Sequence, residues 1–165
     1  MDPLTPGEIR ASFVNCSKGV AGRLPMPRRL EATRWDQLDL LGWRDPGAPA
    51  AAYLVTPYRG ELTGLVLRLV TDRRAGGRKN MCSLCHTTHS TSDVALMVAP
   101  RPGRAGREGN TVGAYLCTDL DCSLYARGLK RPDRAQPTET LDPEQKVARL
   151  RDNVDTFVRR VVTGG

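Results

Sequence analysis

Four of the five cysteines occur as two pairs, and this spacing restricts the fold more than any other feature of the sequence. Two residues separate Cys82 from Cys85, and four residues separate Cys117 from Cys122. Cysteine pairs of this kind form disulfides, redox-active dithiols or metal sites. Which use applies depends on the compartment of the chain and on the structure predicted around each pair.

The N-terminus and the hydropathy pattern indicate a cytoplasmic protein. The first ten residues contain neither the basic nor the apolar region of a secretory signal. No apolar run approaches the roughly 20 residues that a membrane span needs, so no membrane association is expected. Because cytosolic proteins rarely keep disulfides, the clustered cysteines favour a metal site.

The expected metal is Zn²⁺, since soft thiolates select zinc and four of them complete its tetrahedral shell. Cys82 and Cys85 are predicted to form a tight turn, a zinc knuckle. Cys117 is predicted to end a strand and Cys122 to lie in the first turn of a helix near residues 119–128. This order of knuckle, hairpin and helix is that of a treble clef. A thioredoxin-like dithiol is the alternative, but it would open a helix of a βαβ unit and would not use the second pair.

The rest of the pattern predicts an α+β fold, an antiparallel sheet with flanking helices. Thr5, Pro6 and Glu8 predict a capped helix of about a dozen residues that ends near Lys18. A second helical spacing covers Trp35 to Leu41, followed by a turn over residues 43–47. Runs rich in Val and Leu predict strands at 52–56, 62–70, 93–99 and 111–117, the first two as a hairpin.

The chain is expected to form one domain, residues 1–165, in three portions. Residues 1–80 supply a helix and a hairpin, 81–130 the zinc finger and 141–162 a C-terminal helix. In that helix the apolar side chains recur on one stripe. A basic loop over residues 73–79 and a polar, Pro-containing linker over 131–140 connect these portions.

Histidines are scarce, and the sequence offers little for catalysis. His86 and His89 follow the knuckle directly, and we expect them to pack around the metal site or to face solvent. A histidine-metal nuclease would add Asn110, but the order of the three residues does not fit. The zinc-deaminase pattern is absent, and four thiolates leave no open position for a water. Cys16 is expected to be a small core residue, and neither an enzyme nor a small-molecule substrate is expected.

Twenty-five Lys and Arg residues exceed eighteen Asp and Glu residues, giving a net charge of +7. Such an excess favours a polyanionic partner, either a nucleic acid or an acidic protein surface. An Arg-rich proteome would produce the same excess without any such partner. Charge alone therefore does not choose among partners.

The zinc segment resembles a known family. Residues 81–85 and 113–119, taken with Cys122, are similar to the C-terminal treble-clef domain of the FusB-type proteins, which bind elongation factor G. Residues 41–46 and the strand around Tyr53 are similar to that domain as well. The resemblance covers about residues 4–160, and its specific part is the zinc segment.

The resemblance implies a non-catalytic protein that binds elongation factor G, the ribosome or both, with the four paired cysteines as zinc ligands. Without a counterpart of the family's helical N-terminal domain, drug resistance and ribosome clearance are not expected to follow. An RNA-binding zinc protein is the alternative. In either case the predicted contact surface consists of basic residues of the hairpin loop and the helix end: Arg101, Arg104, Arg107, Arg127, Lys130 and Arg131.

Overall fold

A five-stranded antiparallel sheet forms the centre of the computed structural model, which describes residues 1–70, 81–89 and 93–163. Each strand lies beside its neighbours in the sequence, so the sheet order is that of the chain. This confirms the predicted α+β class. The strands are β1 (Leu41–Arg44), β2 (Ala51–Tyr58), β3 (Glu61–Leu69), β4 (Val94–Pro100) and β5 (Thr111–Cys117).

The β2–β3 hairpin is the longest pairing in the sheet. Its register runs from Ala51 opposite Arg68 to Tyr58 opposite Glu61. The two turn residues between the strands both have positive φ, 51° at Arg59 and 82° at Gly60, which matches the right-handed twist of the strands. The predicted hairpin is confirmed, and both strands extend further towards the turn than expected.

Among the described residues, four of the five α-helices have only four to six residues, while the last has 21. They are α1 (Pro6–Ala11), α2 (Lys18–Ala21), α3 (Gly103–Arg107), α4 (Cys122–Ala126) and α5 (Pro143–Thr163). The capping box of Thr5 and Glu8 on α1 is confirmed. The predicted length of about a dozen residues is wrong, because the backbone of Ser12 and Val14 pairs with Gly64 of β3 instead of continuing the helix.

The predicted helix before Gly42 and the turn at residue 43 are also wrong. Only Trp35–Gln37 forms a single 3₁₀ turn, and Trp43 and Arg44 belong to β1. The turn starts two residues later, where the carboxylate of Asp45 accepts hydrogen bonds from two following backbone amides. Apolar spacing over so short a stretch fits a helix and a strand edge alike.

Two hydrophobic clusters cover the two faces of the sheet. One joins the sheet to the four paired cysteines, α4 and the apolar stripe of α5. The other packs Ile9, Phe13 and Leu24 of the N-terminal segment against Trp43 and Tyr53. Because both faces are covered, residues 52–56 of β2 are all buried rather than alternating.

The connecting segments depart from the predictions in two places. Helix α3 lies within the loop predicted for residues 100–110. Residues 131–140 carry no regular structure, as expected of a linker, but side chains within them contact the zinc knuckle and α5. The predicted basic loop over 73–79 lies outside the described residues. No helix among the described residues is long and apolar enough to cross a membrane.

Candidate metal centre

The four paired cysteines come together at the edge of the sheet. Cys82 and Cys85 lie on the turn before β4, Cys117 is the last residue of β5, and Cys122 is the first residue of α4. Their sulfur atoms all lie within 4.8 Å of one another. Cys117 therefore ends its strand and Cys122 lies in the first turn of its helix, as predicted, although the helix begins at Cys122 rather than near residue 119.

The sulfur positions fit a tetrahedral zinc ion. Four sulfurs about 2.3 Å from Zn²⁺ stand roughly 3.8 Å apart along each edge of the tetrahedron. The Sγ atoms of Cys82 and Cys122 are 3.7 Å apart, and those of Cys85 and Cys117 are 3.6 Å apart. A disulfide would need about 2.05 Å, and all four cysteines are free. The short contacts join one pair to the other, which a dithiol made of the first pair alone would not require.

Backbone hydrogen bonds shape the knuckle around its two cysteines. The Leu84 amide donates to Cys82 Sγ over 3.4 Å, and the His86 amide donates to the Cys82 carbonyl over 3.0 Å. His86 adopts a left-handed φ of 58°, which reverses the chain. The Ser83 amide donates to the carbonyl of Tyr115 in β5 over 2.7 Å. The knuckle is thereby fixed to the strand that ends in Cys117.

The cluster is electrostatically incomplete without a cation. All four cysteines are at most 4% exposed. Hydrogen bonds among the four sulfurs, the one with Cys117 first, lower the pKa of Cys85 and raise the pKa of Cys122. The negative charge of a buried thiolate is therefore balanced by protons on the neighbouring sulfurs. A bound Zn²⁺ would replace those protons, since thiols that bind zinc are deprotonated.

His89 supports the cluster from behind. It is 2% exposed, and its Nε2 lies 3.3 Å from Cys117 Sγ. Its ring meets the ring of Tyr125 edge to face, with centroids 4.7 Å apart. The Nε2 of His86 lies 3.3 Å from the side-chain amide of Asn153 in α5. His89 therefore packs against the cysteine cluster, which is one of the two outcomes expected for the histidines, whereas His86 contacts α5.

An ion-pair network surrounds the loop between Cys117 and Cys122. The Tyr125 hydroxyl donates to Asp119 over 2.7 Å. Lys130 donates to Asp119 over 2.9 Å and to Asp121 over 2.6 Å. Lys130, a residue of the predicted contact surface, is therefore engaged within the finger.

The other predicted contact residues occupy two separate places. Arg127 is engaged as well, because its guanidinium pairs with the carboxylate of Asp39, whose side chain is 3% exposed. Arg131 is exposed beyond α4. The remaining three lie on or beside α3: Arg104 and Arg107 are exposed, and Arg101 is half-buried. Since the α3 arginines stand at the start of β5 and the zinc cluster at its end, the structure does not bring the six residues into one patch.

The sequence did not predict two features around the metal centre. Asp39 carries no motif, yet it joins Arg127 of the finger to Arg151 of α5. Gln136, in the predicted linker, accepts from the Thr88 amide and donates to its carbonyl. A buried carboxylate between distant arginines leaves no local signal, because its partners are 88 and 112 residues away along the chain.

The structure offers no support for a histidine-metal nuclease. Asn110 precedes β5, whereas His89 contacts the residue that ends it, so a whole strand separates them. Within residues 1–70, 81–89 and 93–163, the four cysteines are the one group of three or more potential ligands close enough to hold an ion.

Comparison with known proteins agrees with this geometry. A solved structure of the fusidic acid resistance protein FusC superposes with a TM-score of 0.53 at 14% identity, a likeness that shows the fold. The match covers 84% of this chain and 52% of the FusC chain, so this chain spans about half of FusC. No curated protein sequence matches. The model of the FBP C-terminal treble-clef zinc-finger family matches residues 8–161, and the chain therefore belongs to that zinc-finger family.

Proposed function

We propose that this chain is a non-catalytic zinc protein that binds elongation factor G, free or on the ribosome. The observation that carries the proposal is the closed four-sulfur cluster, which joins two distant segments of a chain of this family. In the proposal Cys82, Cys85, Cys117 and Cys122 are the zinc ligands, and residues 1–165 form one domain.

The closed ligand set supports a structural role for the metal. Catalytic zinc sites keep a position open for water or substrate, whereas four thiolates leave none. The ion would hold the knuckle, the end of β5 and the start of α4 as one rigid unit. It would supply folding energy and a fixed surface, with no step of chemistry.

Family membership and the FusC-like fold support a translation factor as the partner. FusC is a fusidic acid resistance protein, and the family resemblance drawn from the zinc segment points to elongation factor G. The surface that remains for contact includes Arg104, Arg107 and Arg131, which are exposed, and of these Arg104 also pairs with Glu108 at the end of α3. Guanidinium groups suit such a surface because they bind carboxylates in a planar, two-bonded geometry.

The test is a binding measurement with purified, nuclease-treated elongation factor G and the zinc-loaded chain. We expect saturable binding by calorimetry that weakens a few-fold when both Arg104 and Arg107 are changed to Gln, since exposed ion pairs each contribute little. The charge-matched control changes both Arg159 and Arg160, which are exposed on α5, to Gln. Absence of binding to the free factor and to ribosomes would refute the proposal.

RNA binding is the second candidate, favoured by the net charge of +7. Binding to RNA phosphates would weaken steeply as salt rises, because it releases counterions. Recovery of RNA alone from the same preparation, lost in moderate salt, would favour this candidate over the protein partner.

The ligand assignment is tested by Cys117→Ser. We expect the variant to lose its equivalent of zinc and to unfold around the finger, because metal binding and folding are coupled at such sites. Metal content by elemental analysis and a melting curve measure both effects. Cys16→Ser, outside the cluster, should retain full zinc.

A further inference from the structure

A groove of about 460 Å³ runs between the zinc knuckle, the start of α5 and residues 131–140, which we call the strap. Its apolar lining includes Met81, Tyr125 and Pro137. Its charged lining holds four cations and one carboxylate, that of Glu139, and one of the cations, Lys130, is already paired with Asp119 and Asp121. The four cations are Lys130, Arg131, Lys146 and Arg149.

The strap is held over this groove by a few polar contacts. Gln136 pairs with the Thr88 backbone as a neighbouring strand would, at 2.8 and 2.7 Å. Glu139 forms ion pairs with Arg149 and with Lys146, the latter at 3.3 Å. Nearly all the strap residues are exposed, so little apolar burial fixes the segment. Contacts of this kind open at low cost in free energy.

Arg149 is incompletely satisfied inside the groove. Its Nη1 donates to Glu139, whereas its buried Nε has no hydrogen-bond partner among the described residues. A buried donor without an acceptor costs free energy. The guanidinium fork suits a carboxylate that takes two parallel hydrogen bonds, and Glu139 does not provide that second bond to Nε.

We propose that this groove binds an extended acidic segment of a partner protein, whose carboxylate replaces Glu139 on Arg149. The strap is then an internal competitor, because it places the Glu139 carboxylate where the carboxylate of the partner segment would lie. The proposal deepens the proposed function by placing a protein partner at this groove, and it can fail independently of that function.

The lining favours a peptide over RNA. Met81 is 47% exposed at the groove, and Pro132 and Pro137 add apolar surface. Such surface suits peptide side chains, whereas single-stranded RNA binds best where aromatic faces stack its bases. The groove already holds one carboxylate, that of Glu139, on Arg149, and an acidic side chain of a partner peptide would supply the same group.

The experiment uses the zinc-loaded chain and a fluorescent peptide with the sequence of residues 136–142, QPTETLD, measured by anisotropy. We expect Glu139→Gln to bind the peptide roughly tenfold more tightly than the unaltered chain, the value of one charge-assisted hydrogen bond. By the same reasoning, the Arg149→Gln variant should bind the peptide with an affinity at least roughly tenfold lower than that of the unaltered chain. Arg160→Gln is the charge-matched control on α5, and a peptide with Gln in place of its Glu should not bind.

Several outcomes would overturn the groove proposal. One is absence of peptide binding to both the unaltered chain and Glu139→Gln, with zinc content intact. Another is equal affinity in the Arg149→Gln and Arg160→Gln variants. A third is loss in Arg149→Gln of binding to a labelled octauridylate but not to the peptide, which would assign the groove to RNA. Elongation factor G is titrated in parallel: if it binds nowhere while the peptide results hold, the proposed partner fails and the groove stands.

Discussion

His89 lies between the metal cluster and the ring of Tyr125, with its Nε2 3.3 Å from Cys117 Sγ. Groups that contact metal ligands in this way orient them, and their loss typically costs 10–100-fold in metal affinity. We expect His89→Phe, which keeps an aromatic ring against Tyr125, to release zinc to a colorimetric chelator about 10–100-fold faster. An unchanged release rate would show that the ring only fills space.

Gly42 of β1 is close to the loop between the second pair of cysteines. A Cβ at this position would lie 2.4 Å from the Cβ of Leu120, far inside van der Waals contact. We expect Gly42→Ala to lower the free energy of unfolding by about 2 kcal/mol, within the range for overpacking. Urea denaturation measures the effect. Gly47→Ala is the control, since its nearest neighbour would be at 3.5 Å, and a similar loss in both variants would contradict the explanation.

The cysteine cluster was predictable because the identity and spacing of its members are local, whereas the contacts that support the cluster were not predictable. Two short cysteine spacings suffice to predict the metal, the knuckle and the strand-to-helix junction. The close approach of Gly42 to Leu120 joins residues that are 78 positions apart along the chain. No periodicity or composition encodes such a contact.

Asp39, two residues before β1, links the end of α4 to α5. Its carboxylate pairs with Arg127 just after α4 and with Arg151 of α5, the latter at 2.8 Å. Although burial opposes ionisation, the hydrogen bonds from both arginines lower the pKa of Asp39. The zinc finger and the C-terminal helix therefore share one buried charge.

We expect Asp39→Asn to lower the free energy of unfolding by about 2 kcal/mol. Breaking a fully buried pair costs about 3–5 kcal/mol, and the cost is smaller here because the Arg151 side chain is 65% exposed. Denaturant unfolding of the zinc-loaded variant measures it. Asp36→Asn removes an exposed pair with Arg34 and should change stability by well under 1 kcal/mol; equal effects would rule out the bridging role.

Among the secondary-structure elements, long apolar patterns were predicted best. The stripe of α5 and the strands of both hairpins extend over enough residues for their periodicity to identify them. The predicted length of the N-terminal helix was wrong because tertiary pairing overrides local preference. The capping box starts α1, but backbone pairing with Gly64 ends the helix after six residues. Strand β1 has only four residues, too few for alternation to emerge.

The sheet connects the cysteine cluster to the N-terminal segment, because one hydrophobic cluster packs on each of its faces. The cysteines share one cluster with Leu150 and Phe157 of α5, while Trp35 and Trp43 belong to the other. Both clusters use β2, whose central residues are buried on either face. Loss of the metal should therefore also destabilise the hydrophobic cluster on the opposite face of the sheet.

We expect removal of zinc by a chelator at neutral pH to unfold both clusters in one transition. Far-ultraviolet circular dichroism reports chiefly on α5, the longest helix, and fluorescence reports on the two tryptophans, which lie in the other cluster. Coincident changes in the two signals, reversed by added Zn²⁺, are the signature of a cooperative unit. A native tryptophan signal that persists after the helix signal is lost would instead show that the N-terminal segment and the sheet fold without the metal. In that case the zinc would organise only the knuckle, α4 and α5. The chain would then consist of two parts that fold independently rather than one domain.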